Sequence, residues 1–222
     1  MESARDRLSA KPTSETDGLP RWKRALDLAL GLAAMPLLGV CALGIATVMA
    51  LVSPGPLLYR QERVGRRGRR FMCYRFRTMH VVAGRRNDEV LGRRPDERFI
   101  PGGWLLRATG LDELPQIFNV LRGEMSLVGP RPCLPGEFTQ LTWKQRSRCR
   151  VLPGITGLWQ VSDRDGATFD DMIQVDLLYV ETRSPGADLK ILARTFPAVL
   201  RQLRNAGDRR RALRKTASSA EA

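Results

Sequence analysis

Residues 21–56 read RWKRALDLALGLAAMPLLGVCALGIATVMALVSPGP, and no charged side chain occurs from Leu28 to Val52. The run exceeds the roughly 20 apolar residues that a membrane span needs, so the sequence predicts a helix that enters a bilayer. Pro36 removes a backbone hydrogen bond and crowds the preceding turn, which predicts a bend at Met35-Pro36. Arg21, Lys23 and Arg24 precede the run; Arg60, Arg63, Arg66, Arg67, Arg69 and Arg70 follow it. Cationic flanks stay on the cytoplasmic side, so both ends belong together and the helix dips in, bends and returns. A spanning helix that tolerates its proline is the competing reading.

The rest of the chain must supply the folded domain. At 222 residues with 43% apolar side chains it is long enough to bury one core. A net charge of +14 predicts an anionic partner: nucleic acid, acidic lipid headgroups or a phosphorylated small molecule. Cys41, Cys73, Cys133 and Cys149 show no C-x-x-C spacing and read as reduced thiols facing a cytosol. The single histidine, His80, excludes His-based triads and multi-histidine metal sites as the main chemistry, which leaves Asp and Glu to provide it.

Outward from the apolar run, residues 1–20 are polar and read as a mobile tail without a secretory-signal pattern. Downstream, LLYRQERVGRRGRRFMCYRFRTM alternates apolar and basic residues around Gly65 and Gly68, which predicts a short β-hairpin with a basic turn. The arginines of that turn suit either a phosphate clamp or a juxtamembrane patch on acidic lipid. Residues 82–98 read as a polar loop, and residues 104–121 as helical segments interrupted near Thr109-Gly110. Helices are expected over 137–150, 169–179 and 189–203. The last of these is basic and amphipathic, fit to lie in a membrane interface or to pack on its own domain. The expected fold class is α+β, mostly helical. Its parts are a re-entrant membrane helix over 21–56, a small domain with a β-hairpin and interfacial helices over 57–204, and a basic disordered tail over 205–222.

Within GLDELPQIFNVL, residues 110–121, Asp112 and Glu113 stand side by side in an otherwise basic chain. Asp112 occupies a position suited to a helix N-cap, with Pro115 in the first turn and Glu113 complementing the dipole. An ionised carboxylate there is also a competent nucleophile toward phosphorus. Such an attack needs charge neutralisation, which a divalent metal on Glu113 and forked arginines can give. Among 37 basic residues, composition alone does not choose the arginines.

The ordered set KRALDLALGL, SPGPLLYRQERVGRRGRRFMCYRFRTM, LLRATGLDELPQIFNVLRGEMSLVGPRP, LPGITGLWQVSDR and DLLYVETRSPGADLKIL resembles the bacterial sugar transferases, the monotopic phosphoglycosyl transferases, over Lys23 to about Leu200. The resemblance implies that Asp112 is the nucleophile, that Glu113 binds Mg²⁺, and that Arg107, Arg131 and Arg164 contact substrate phosphates. It implies a nucleoside diphosphate sugar, expected to be a UDP-sugar, as donor and polyprenyl phosphate as acceptor. It also implies a membrane element broken at Met35-Pro36 and a catalytic domain on the cytoplasmic face of the bacterial inner membrane, in contact with lipids and not with nucleic acid. The chain departs from the family pattern at Gly110, where serine is usual, at Met35, where serine often precedes the proline, and in the VSDRDG turn. Two other functions compete: a membrane-tethered basic module without catalysis, and a glycosyltransferase that releases UDP.

Overall fold

The computed structural model describes residues 19–80, 98–162 and 168–220, with residues 209–220 described by backbone alone. Helix α1, Arg21–Val52, is one uninterrupted helix that continues through Pro36. Its length and composition suffice to cross a membrane. A stripe at helical spacing faces the domain. Gly31 approaches Ile117 closely, Met35 and Leu38 pack on Phe71, Ile117, Val120 and Met125, and Met49 packs on Phe76 and Ile100. The opposite face is bare, with Leu37, Val40, Leu43 and Leu51 69%, 72%, 70% and 80% exposed. A continuous apolar face of this size calls for apolar surroundings.

Both ends of α1 are fastened to the same domain. At its start, the buried Lys23 ammonium donates to the Val128 carbonyl at 2.8 Å and pairs with Asp188 at 2.5 Å. One turn on, Asp27 accepts from the Ser126 hydroxyl at 2.9 Å and the Leu127 amide at 3.0 Å. Burying these charges is tolerable only because each is paired and hydrogen-bonded. At the far end the Arg77 guanidinium donates to the carbonyls of Ser53 and Pro54, at 2.5 and 3.2 Å, placing a cation where the helix leaves its last carbonyls unpaired.

The expected hairpin forms from β1, Leu58–Val64, and β2, Arg70–Phe76, antiparallel with Leu58 opposite Phe76 and Val64 opposite Arg70. A 3₁₀ turn over Arg66–Gly68 joins them. The loop read over 82–98 lies outside the described residues except for Arg98. Helix α2, Gly103–Thr109, ends at Gly110, and a 3₁₀ turn over Leu111–Gln116 leads into α3, Ile117–Arg122. The short strand β3, Ser126–Val128, pairs in parallel with β4, Gly154–Thr156. Between them lie α4, Pro135–Gln140, α5, Trp143–Arg146, and a 3₁₀ turn over Ser147–Arg150. Helices α6, Leu158–Val161, α7, Phe169–Thr182, and α8, Pro185–Ala220, complete the order.

The α+β, mostly helical class holds, with three local differences. The helix expected over 137–150 divides at Leu141-Thr142, because Thr142 and Gln145 form a reciprocal capping box that starts α5. The parallel pair β3–β4 was not read, since strands of three residues show no alternation. Helix α8 carries on to Ala220, where the sequence reading has a disordered tail from 205. That segment is rich in Ala and Arg, both good helix formers.

Candidate active site

The left-handed Gly110 (φ 72) turns the chain between α2 and the 3₁₀ segment. A serine would adopt that backbone only with strain, so glycine suits the position. Gly110, not Asp112, is the cap residue; Asp112 is the second residue of the 3₁₀ turn, and the expected side-chain cap is not made. The turn sets Asp112 4% exposed in the wall of a cavity of about 520 Å³, with Glu113 beside it.

Sequence reasoning missed the nearest cation. Arg75, on β2, sits 2.8 Å from the Glu113 carboxylate and 3.8 Å from that of Asp112. The signal was present: Phe71, Cys73 and Arg75 share one strand face by period two, and Phe71 and Cys73 point into the core. A cation on that face must meet an anion. Burial, and after it the neighbouring Glu113 charge, push the Asp112 carboxyl up; Arg75 and Arg107 oppose both, and the balance stands at about 6. Asp112 is therefore largely ionised at neutral pH.

Arg107, at the end of α2, lines the same cavity. Arg131 enters from the GPRP loop after β3, and that loop is held from behind. Arg148 donates to the Arg131 carbonyl at 2.8 Å and Arg63 to the Pro132 carbonyl at 3.1 Å. Arg148 is itself locked by Asp176 at 2.5 Å. Gly129 and Gly154 bring the two backbones so close that a Cβ at either would strike the facing main chain. The structure thus gathers Asp112, Glu113, Arg107 and Arg131 in one cavity; Arg164 lies outside the described residues. Gln116, 1% exposed with its Nε2 unpartnered, and Trp159 also line it and were not foreseen.

The described residues hold no group of three or more His, Cys, Asp or Glu side chains placed to hold a metal ion. Two adjacent carboxylates, one of them raised by the other's charge, nevertheless fit a hard cation that takes its remaining oxygens from substrate phosphate and water. With guanidinium groups around it, the cavity suits a ligand bearing phosphate.

Fold and site together define a class: an arginine-lined cavity of about 520 Å³ over a carboxylate pair, on a small domain fastened to a long apolar helix. Residues 19–202 match the family described as bacterial sugar transferase, and the chain belongs to that family. It is 36% identical over 189 residues to galactosyl transferase CpsE of Streptococcus agalactiae, covering 80% of this chain and 42% of the relative. It is 39% identical over 194 residues to the UDP-galactose-lipid carrier transferase of Erwinia amylovora, covering 81% and 40%. To the UDP-glucose:undecaprenyl-phosphate glucose-1-phosphate transferase of Caulobacter vibrioides it is 39% identical over 186 residues, covering 80% and 69%. The chain thus spans well under half the length of the first two.

Proposed function

We propose that the chain is a phosphoglycosyl transferase that moves a sugar 1-phosphate from a UDP-sugar to polyprenyl (undecaprenyl) phosphate, the opening step of a polysaccharide or glycoconjugate. The observation that carries this reading is Asp112: a buried carboxylate with a pKa near 6, facing a cavity between Arg75 and Arg107. Its oxygen attacks the phosphorus that bears the sugar, the bond from that phosphorus to the bridging oxygen breaks, and UMP leaves with the electron pair. The acceptor's phosphate oxygen then attacks the same phosphorus and the Asp112 carboxylate departs. Arg75, Arg107 and Arg131 neutralise the phosphate oxygens while the anionic nucleophile approaches. Glu113 would hold Mg²⁺, which supplies charge neutralisation on the pyrophosphate. The substrates named for the Erwinia and Caulobacter relatives support the donor and acceptor classes.

The same reading puts the domain on the cytoplasmic face of the bacterial inner membrane, with α1 re-entrant about Met35-Pro36. What supports a same-side topology is that Lys23 and Asp27 at one end of α1 and Ser53 just past the other all bond to one domain. A straight crossing would separate those contacts by the bilayer. The test is nucleotide release from UDP-sugars in the presence of polyprenyl phosphate. UMP is expected; UDP would indicate a glycosyltransferase, and neither nucleotide a binding module.

A further inference from the structure

A second cavity, of about 400 Å³, shares no lining residue with the first. Its wall is the basic turn of the hairpin, Arg66, Arg67, Arg69 and Arg70, together with Arg122 and Gly123 at the end of α3. The turn is held in an uncommon shape. Arg67 has φ 56 and is the only non-glycine residue with positive φ among those described. Left-handed backbone is strained for a non-glycine residue, and such strain gathers at ligand clamps. Gly65 fixes the base of the turn against Phe71, whose ring would stand 3.1 Å from an added Cβ.

The charge there is only partly used internally: Arg66 donates to the Arg150 carbonyl at 3.2 Å and Arg122 to the Tyr74 hydroxyl at 3.0 Å. The Arg67 and Arg69 side chains are exposed and form no hydrogen bond or ion pair with other described residues; Arg70 reaches only the exposed Glu62, at 3.4 Å. The one acid in the wall, Glu124, accepts from the Asn119 amide at 2.6 Å. Depth is set by α1. The Arg24 guanidinium lies 3.7 Å from where a Gly123 Cβ would be, and Arg66 shares a narrow cleft with Pro20 and Lys23. The uncharged run of α1 begins four residues after Arg24, at Leu28. The cavity therefore opens at headgroup level if α1 lies in a bilayer.

We propose that this cavity holds the phosphate of an anionic membrane lipid, beside the point where α1 enters the bilayer. The inference rests on the membrane reading of α1 and is independent of the chemistry at Asp112. The test reconstitutes the full chain in nanodiscs of mixed phosphatidylcholine and phosphatidylglycerol and counts the lipids it retains by native mass spectrometry. The wild type should enrich phosphatidylglycerol over its bulk share. Arg67→Gln with Arg69→Gln should reduce that enrichment about 10-fold or more, while Arg67→Lys with Arg69→Lys keeps it. Nucleotide release in neutral detergent should be the same in all three proteins, which separates this result from failure of the catalytic reading. Unchanged enrichment in the glutamine variant overturns the proposal. So does displacement by soluble glycerol phosphate as effective as displacement by the lipid, which would mark a site for free phosphate.

Discussion

Asp112 and Asp176 are two buried aspartates facing arginines, and burial pushes each carboxyl up to about 6. They differ in what surrounds the charge. Asp176 is 1% exposed, sits 2.5 Å from Arg148, and has no acidic neighbour acting on it. Asp112 is 3.8 Å from Arg75, whose closer partner is Glu113, and it opens on a cavity of about 520 Å³. The Asp176 pair is closed and spends its fixed geometry on the loop that carries Arg131. The Asp112 carboxylate has no closer ion partner among the described residues than Arg75 at 3.8 Å, and it stands next to open space. Burial and a shifted pKa alone do not mark a reacting carboxylate; the lack of a close ion partner beside a substrate-sized space does.

The largest separation of the two should come from Asp112→Asn, with nucleotide release down at least about 10³-fold because the nucleophile is gone. Stability should move the other way. The folded pKa lies above the ordinary value of 3.8, so the contribution of Asp112 is favourable below about pH 4 and is lost as pH rises through about 6. A neutral asparagine removes that cost at pH 7 and should raise Tm, by the equivalent of about 1–3 kcal/mol. Next, Arg148→Met should cost about 3–5 kcal/mol in chemical denaturation, since it strands Asp176 and frees the Arg131 loop. If the Arg148 variant unfolds no more easily than wild type, the assignment of that pair as structural is wrong.

A smaller effect distinguishes the pair by titration. The acid limb of the rate profile should have its midpoint near pH 6, with activity falling as Asp112 gains a proton. Glu113→Gln removes a like charge and should move the limb to lower pH; Arg75→Gln removes a cation and should move it higher. Asp176→Asn should leave the midpoint where it is. A limb that follows Asp176 instead would reverse the comparison.

Much of this was legible in the sequence because its signals are local. The uncharged run to Val52, the alternation of the hairpin and the Asp-Glu pair after Gly110 each lie within one short window. The resemblance then selected Arg107 and Arg131, which do meet in the cavity. What escaped depends on contacts between distant segments. Arg75 is joined to Glu113 across 38 positions, and no window contains both. The stripe of Gly31, Met35, Leu38 and Met49 was hidden because every neighbour is apolar too, so no polar face outlined it. The three-residue strands β3 and β4 are defined by the glycines that let their backbones approach rather than by any side-chain pattern. Asp176 gave no sign at all, since an acid on a helix face is ordinarily solvated.

The most direct measurement is the intact mass of the protein after brief exposure to UDP-sugar without acceptor. The account predicts a species heavier by one phosphosugar, mapped to Asp112, formed together with UMP and discharged when polyprenyl phosphate is added. Lipid-linked product that accumulates with no such species, or an equal adduct on the Asp112→Asn protein, would contradict it.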